Sequence, residues 1–268
     1  KKALDDLQKA NEELESRVER RTTELKKANE SKSKFVAQIS HELRTPLHHI
    51  LSFSGFGVKK INDVNIEKLL FYFRKINETG HHMAILLDDI LDLSKLEAGK
   101  MDYDMKKEDL MLITTHVTNE FQTSIEEKEI NLEIINRNRN SKITADSIRL
   151  AQVIRNLLSN AIKFTPPKKR IVITIDQENP KDRKMLENQN KAAALSFSIQ
   201  DEGIGIPENE LNSVFEQYIQ SSKTKNRTGS TGLGLAISNE IIKAHEGKIN
   251  VENNPNGGAK FSFFLPKE

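Results

Sequence analysis

The chain has 268 residues, enough for about two domains that each bury a core of their own. A formal net charge of +2, with charged residues making up 30% of the chain and spread along it, excludes a basic nucleic-acid stripe and an acidic tail. With no cysteine there is neither a disulfide framework nor a thiolate metal site. No apolar run approaches the roughly 20 residues needed to span a bilayer, so a cytoplasmic segment without membrane contact is expected.

Residue 1 is Lys and opens inside a helical pattern, which reads as a piece of a longer protein. Apolar residues recur at alternating steps of three and four through Leu4, Leu7, Leu14, Val18, Leu25 and Ala28, with Asn11 and Arg21 in polar seam slots. Sustained over several heptads, this predicts a coiled coil whose seam Asn sets register. A single charged surface helix is the alternative. The repeat runs on without a breaker through Phe35 and Ile39 into Leu43, Leu47, Ile50 and Leu51, and Pro46 inside it predicts a kink or local loosening. Gly55 and Gly57 weaken the helix end, and Asn62-Asp63-Val64-Asn65 reads as a turn. A second amphipathic helix carries Ile66, Leu69, Leu70, Phe73, Ile76, Met83, Leu87, Ile90 and Leu91. Two long helices joined by a short turn form a hairpin, and two hairpins make a four-helix bundle. Residues 1–97 are therefore expected to form a homodimer.

Gly99 ends the helical region, and the texture changes to a compact α+β domain. Helices are predicted near 109–127, 146–163 and 232–245, and strands over 130–136, 170–176, 195–200, 248–252 and 260–265. The last two strands form a hairpin through Asn253-Asn254-Pro255-Asn256-Gly257-Gly258. Polar residues 179–191 read as a loop between strands. The stretch 216–231, rich in Ser, Thr, Lys and Gly, reads as a functional lid or a disordered segment.

Four segments carry chemistry. In Ser40-His41-Glu42-Leu43-Arg44-Thr45-Pro46-Leu47, about 100° per residue turns His41 away from the apolar face marked by Ile39 and Leu43, with Thr45 one turn along. A neutral imidazole beside a carboxylate is a good phosphoryl nucleophile, and also an ordinary surface pair. On a helix, Asn156, Asn160 and Lys163 share one edge: amide oxygens suit Mg²⁺ and an ammonium suits phosphate, although a solvated polar face reads the same way. Asp201-Glu202-Gly203-Ile204-Gly205-Ile206-Pro207 follows an alternating strand. Its glycines admit a flat ligand, and a buried Asp accepts from an adenine amino group. A tight turn before a helix is the alternative. Gly229-Ser230-Thr231-Gly232-Leu233-Gly234-Leu235 enters a helix, where exposed amides suit phosphate; a flexible linker is the default for such a run alone.

In order and spacing these segments resemble the sensor histidine kinases. Residues 40–46 resemble the phosphoacceptor box, 156–165 the N box, 201–207 the first glycine box, Phe215-Glu216-Gln217 the F box, and 229–235 the second glycine box. The likeness covers residues 30–268, and the leading coil resembles a signalling helix. It implies a coiled coil (1–30), an all-α hairpin forming a dimeric four-helix bundle (31–97), and an α+β ATP-binding sandwich of the gyrase–MutL–histidine kinase type (98–268), a mixed sheet with helices on one face. It also implies ATP and Mg²⁺ as cofactors, a response-regulator receiver domain as partner, and possible reversal as a receiver phosphatase.

By the same resemblance His41 is the phosphorylated residue, Glu42 its general base or orienting acid, and Thr45 the group that positions water in the phosphatase direction. Asn160 holds Mg²⁺ with support from Asn156, Lys163 meets the phosphates and Asp201 reads adenine. Gly203, Gly205, Ile206, Gly232, Leu233 and Gly234 shape the pocket and lid. Many members carry an Arg just after the F box. Here Gln217-Tyr218-Ile219-Gln220 stands there, which leaves Lys223 or Lys225 as substitutes. The related hydrolases carry a water-activating Glu where this chain has Asn156, which disfavours simple hydrolysis. His48, nearly in line with His41, is a packing or surface histidine or a minor acceptor, and His81 and His82 are read as surface or bundle-packing histidines.

Overall fold

The computed structural model describes residues 2–61, 63–138, 140–177, 194–216, 232–255 and 257–267. It divides into two compact units, Lys1–Leu86 and Leu87–Glu268.

The first unit is built from α1 (Lys2–Lys59) and most of α2 (Ile66–Glu97). Helix α1 is unbroken across Pro46, which is buried, so the missing N–H removes one backbone bond without ending the helix. Nor do Gly55 and Gly57 stop it. Phe53 and Phe56 flank them and pack on Tyr72 of α2 at ring distances of 6.0 and 6.1 Å, offsetting the roughly 1 kcal/mol that each glycine costs. Phe53 also meets Phe71 edge-on at 6.0 Å, and Tyr72 is only 7% exposed. The corner closes through Asp63 N–H to Lys60 O at 3.0 Å, and Asn65 Oδ1 accepts from Lys68 N–H at 3.0 Å to start α2. Leu14, Val18, Leu25 and Val36 are exposed along α1.

The second unit takes in the tail of α2 and the rest of the chain. Its sheet has the order β2-β4-β5-β7-β6, with β2 (Asn131–Asn136) parallel to β4 (Arg170–Gln177). The remaining neighbours, β5 (Ala194–Asp201), β7 (Ala259–Pro266) and β6 (Lys248–Asn253), pair antiparallel. Strand alternation sends Ile171, Ile173 and Ile175, then Leu195, Phe197 and Ile199, into the core, where Phe197 stacks on Phe263 at 4.6 Å. Helix α5 (Ser147–Phe164) covers them with Leu150, Ile154, Leu157 and Leu158. Each such fully buried side chain contributes about 1.5–3 kcal/mol. Helix α6 (Gly234–Ala244) packs beside α5, with Ile241 and Ile242 fully buried.

Two features depart from the sequence reading. The single helix expected over 109–127 is two, α3 (Leu110–Glu120) and α4 (Gln122–Glu127), broken at Phe121, whose N–H closes on Thr118 O at 3.1 Å. A two-stranded sheet was not foreseen. In it β1 (Lys106–Asp109) runs antiparallel to β3 (Lys142–Ala145), and Ala145 pairs with Lys106. The expected loop 179–191 and nearly all of the stretch 216–231 lie outside the described residues.

Candidate active site

Helix α5 starts where Asp146 caps it, accepting from Ile148 N–H and Arg149 N–H at 3.0 Å each. Its apolar face is sunk into the core, which leaves Asn156, Asn160 and Lys163 along one partly buried edge. Both ends of the Asn156 amide are engaged within the protein. Its Nδ2 donates to Ser238 Oγ at 3.0 Å, and its Oδ1 accepts from Asn160 Nδ2 at 3.4 Å. Asn156 Oδ1 also lies where a side chain on Gly234 would sit, 2.4 Å from an ideal Cβ. Asn156 thus sets the approach of α6 to α5 and engages the Nδ2 end of the Asn160 amide. Burial holds the Lys163 ammonium below its usual pKa, and its Nζ lies 5.5 Å from the Phe164 ring centroid.

Asp201 ends β5 on the core side and is 5% exposed. Its Oδ1 accepts from Gly203 N–H at 2.8 Å and Ala259 N–H at 3.2 Å. Burial raises its pKa, and the two backbone donors only partly offset that rise. Backbone comes close to Asp201 at two glycines. A Cβ on Gly203 would meet Asp201 Oδ1 and Phe164 O at 2.7 Å each, and one on Gly258, at φ +89°, would fall 2.0 Å from Asp201 O. Behind the loop stand two asparagines of the β6–β7 hairpin. Asn253 accepts from Ile206 N–H at 2.8 Å and donates to Ile206 O at 2.6 Å, and Asn254 Nδ2 donates to Asp201 O at 2.8 Å. Gly205, at φ +63°, passes so close to Asn253 that a Cβ would stand 3.0 Å from its Oδ1.

Helix α6 begins at Gly234 with no side-chain cap, after Gly232 at φ +69° and a buried Leu233. Among the described residues no side chain caps its positive end, a geometry that suits an anion. Asn156, Asn160, Lys163, Asp201, Gly203, Gly205, Ile206, Gly232, Leu233 and Gly234 all lie in the second unit, where Asn156 meets Asn160 and Gly234, and Gly203 meets the end of α5 at Phe164 O. Lys223, Lys225, Gln217 and residues 229–231 lie outside the described residues.

Sequence reasoning missed Ser238, Asn253, Asn254 and Lys128. The consecutive asparagines read as turn residues, and only the fold shows their amides gripping a loop about fifty residues away. A polar cavity of about 350 Å³ borders the same loop, lined by Lys169, Arg170, Gln200 and Glu202 together with Gly203, Asn254, Pro255 and Gly257. Asp201 is not among its lining residues, and Gln200, next to it on β5, faces the opposite side of the sheet.

On the first unit, His41 and Thr45 are exposed on α1 and Glu42 is half-buried. The Thr45 hydroxyl donates to His41 O at 3.3 Å, one turn back. His41 and Thr45 therefore share a solvent-facing stripe of α1, while Pro46 on the same segment is buried.

The residues present fit a nucleotide with a divalent cation: a desolvated acceptor among glycines too confined to admit a Cβ, an amide side chain at Asn160 on the partly buried edge of α5, and a helix start with no side-chain cap among the described residues. Among the described residues there is no group of three or more His, Cys, Asp or Glu that would hold a metal. Nor is any described helix long and apolar enough to cross a membrane.

Residues 145–268 match the histidine kinase-, DNA gyrase B- and HSP90-like ATPase family, and residues 31–99 match the His Kinase A (phospho-acceptor) domain. The chain is 34% identical over 272 residues to the circadian input-output histidine kinase CikA of Synechococcus elongatus, covering 98% of this chain and 34% of that one. It is 33% identical over 260 residues to the autoinducer 2 sensor kinase/phosphatase LuxQ of Vibrio vulnificus, covering 96% of this chain and 29% of that one. The chain thus spans about a third of the length of the curated relatives it matches. Among solved structures, the catalytic domain of histidine kinase ThkA superposes with a TM-score of 0.51 at 28% identity, covering 61% of this chain and 96% of that one. ThkA in complex with the response regulator TrrA gives 0.62 at 24% identity, over 88% of this chain and 61% of that one, a likeness of fold.

Proposed function

This chain belongs to the sensor histidine kinases of two-component systems, and from that premise we propose that it phosphorylates its own His41 from ATP and passes the phosphoryl group to an aspartate of a response-regulator receiver domain. The observation that carries the reading is Asp201: a buried carboxylate, fixed by two backbone N–H groups in a glycine-walled loop, leaves an acceptor for the adenine amino group. Guanine presents a carbonyl at that position and is rejected.

In the phosphorylation step a ring nitrogen of His41 attacks the γ-phosphorus, an N–P bond forms, and the bond to the leaving ADP oxygen breaks. Glu42, the next residue, takes or orients the ring proton as positive charge develops on the imidazole. Receiver phosphorylation then breaks the N–P bond in favour of an acyl phosphate on the receiver's aspartate. Thr45 positions water in the reverse, phosphatase direction.

Asn160 would hold Mg²⁺, which would supply charge neutralisation at the phosphates. Asn156 acts through Asn160 and α6, Lys163 meets phosphate oxygens, and Lys223 or Lys225 fills the role of the Arg missing after the F box. Residues 1–30 act as a signalling coil, 31–97 as the dimerisation and phosphotransfer domain, and 98–268 as the ATP-binding domain. The exposed Leu14, Val18, Leu25 and Val36 are the surface that a second copy covers.

The test is incubation with γ-labelled ATP and Mg²⁺, comparing the wild type with His41→Gln. Acid-labile, alkali-stable label that disappears in the variant is expected. Label that persists would move the acceptor away from His41, and steady phosphate release without label would favour a hydrolase.

A further inference from the structure

The end of α5, the helix that carries Asn156, Asn160 and Lys163, is held by a cation that belongs to none of the family's boxes. Lys128 caps α4, and its ammonium donates to Ile162 O at 2.6 Å, Lys163 O at 3.2 Å and Thr165 O at 3.3 Å. An ammonium has three donors, and the last turn of a helix offers carbonyls without intrahelical partners, so number and charge both match. The connector that follows is tied to the same point: Lys168 N–H donates to Lys128 O at 3.2 Å, and Asn131 N–H donates to Lys169 O at 2.9 Å.

This turn is also the floor under the adenine reader. Phe164 O, between two of the carbonyls Lys128 binds, lies against Gly203, where an added Cβ would stand only 2.7 Å away. The Gly203 N–H in turn fixes Asp201 Oδ1 at 2.8 Å. A displacement of the α5 terminus is therefore transmitted through backbone atoms, which cannot rotate away, to the carboxylate. Lys163, on the same turn, moves with it.

We infer that Lys128 is a positioning residue of the nucleotide site: by binding the carbonyls at the end of α5 it sets the height of Gly203, and with it the carboxylate of Asp201 and the place of Lys163. The inference rests on the nucleotide-site reading above and adds to it a residue remote from the ligand.

The experiment measures the initial rate of His41 labelling against ATP and against GTP for the wild-type chain, Lys128→Met and Lys128→Arg. A role confined to stability reduces the amount of active protein and leaves the apparent KM alone. Positioning raises KM and leaves the saturated rate. Lys128→Met is expected to raise the apparent KM for ATP about tenfold, the scale of one charge-assisted hydrogen bond. Its saturated rate should stay within about twofold of wild type, and the preference for ATP over GTP should narrow. Lys128→Arg, with five N–H donors, recovers most of the affinity. An unchanged KM and an unchanged ATP-over-GTP ratio would overturn the inference. If Lys128→Met does not fold, Lys128→Gln, with two donors, must still raise KM, and wild-type KM in that variant refutes the proposal. Failure of the wild type itself to take label or bind ATP would sink the nucleotide-site reading, a result separable because it is read without any substitution.

Discussion

Gly234→Ala tests the packing that sets the mouth of the site. An ideal Cβ at Gly234 lies 2.4 Å from Asn156 Oδ1, 2.8 Å from its Cγ and 2.9 Å from its Nδ2. Ordinary contact between carbon and a heavy atom is about 3.5 Å, so Asn156 or α6 must give way by about 1 Å. Such overpacking costs about 1–3 kcal/mol, and loss of the Asn156–Ser238 bond adds about 1 kcal/mol. The gain of Ala over Gly in a helix returns up to about 1 kcal/mol. The net expectation is a loss of about 2 kcal/mol, with weaker nucleotide binding because the uncapped end of α6 is pushed off α5.

The control is built into the geometry. In an Asn156→Ala background the colliding atoms are gone, so adding Gly234→Ala should cost nothing or stabilise slightly. Urea unfolding of all four proteins by circular dichroism, with hydrogen exchange of the α6 amides, should give a coupling energy of about 2 kcal/mol. Equal losses in both backgrounds would show that the glycine is required for another reason, and the role assigned to Asn156 would fall with it.

Two further substitutions separate stability from function. Burial raises the pKa of Asp201, so the folded protein holds this proton more tightly than the unfolded chain; the contribution is greatest below the ordinary value of 3.8 and is lost as pH rises through the folded pKa. Asp201→Asn should therefore keep or raise the melting temperature at neutral pH while weakening ATP binding about 100-fold, as read by calorimetry; retained affinity would remove Asp201 from adenine recognition. His245, 4% exposed, accepts from Asp146 N–H at Nε2, 2.9 Å away, and its Nδ1 lies 2.8 Å from Ile241 O, so the neutral ring with its proton on Nδ1 fits both contacts. Burial lowers its pKa, so its stabilisation is complete above 6.5 and is lost as pH falls below that value toward the folded pKa. Urea midpoints should fall between about pH 7.5 and 5 in the wild type and fall less in His245→Gln, and parallel slopes would refute the assignment.

The fold was legible where local pattern and tertiary burial agree. In α5, Leu150, Val153, Ile154, Leu157, Leu158, Ala161 and Ile162 are buried at the helical spacing the sequence displays, and the element begins and ends within one residue of expectation. The same holds for β5, whose alternation of Leu195, Phe197 and Ile199 with serines continues to Asp201. The small sheet was invisible for the opposite reason. Lys106-Lys107-Glu108-Asp109 has no alternation, and it is a strand only because β3 lies alongside it, Lys106 opposite Ala145 and Asp109 opposite Lys142. The break at Phe121 is equally silent, since the residues around it form helix on both sides.

The candidate site divides along the same line. Residues that would touch a ligand announce themselves, because a glycine needed at a close approach, an acidic residue at a strand end or an amide on a helix edge is unusual in its own neighbourhood. Residues that hold those groups do not. Asn253 and Asn254 look like any turn, and Lys128 looks like any surface lysine after a short helix, yet each bonds backbone between 34 and 53 positions away. Their partners are carbonyls and amides, which every sequence has at every position and which therefore leave no trace in residue type. The supporting groups become visible only once the chain is folded. Substitutions there, rather than in the glycine boxes, are where ATP affinity can change while every motif stays intact.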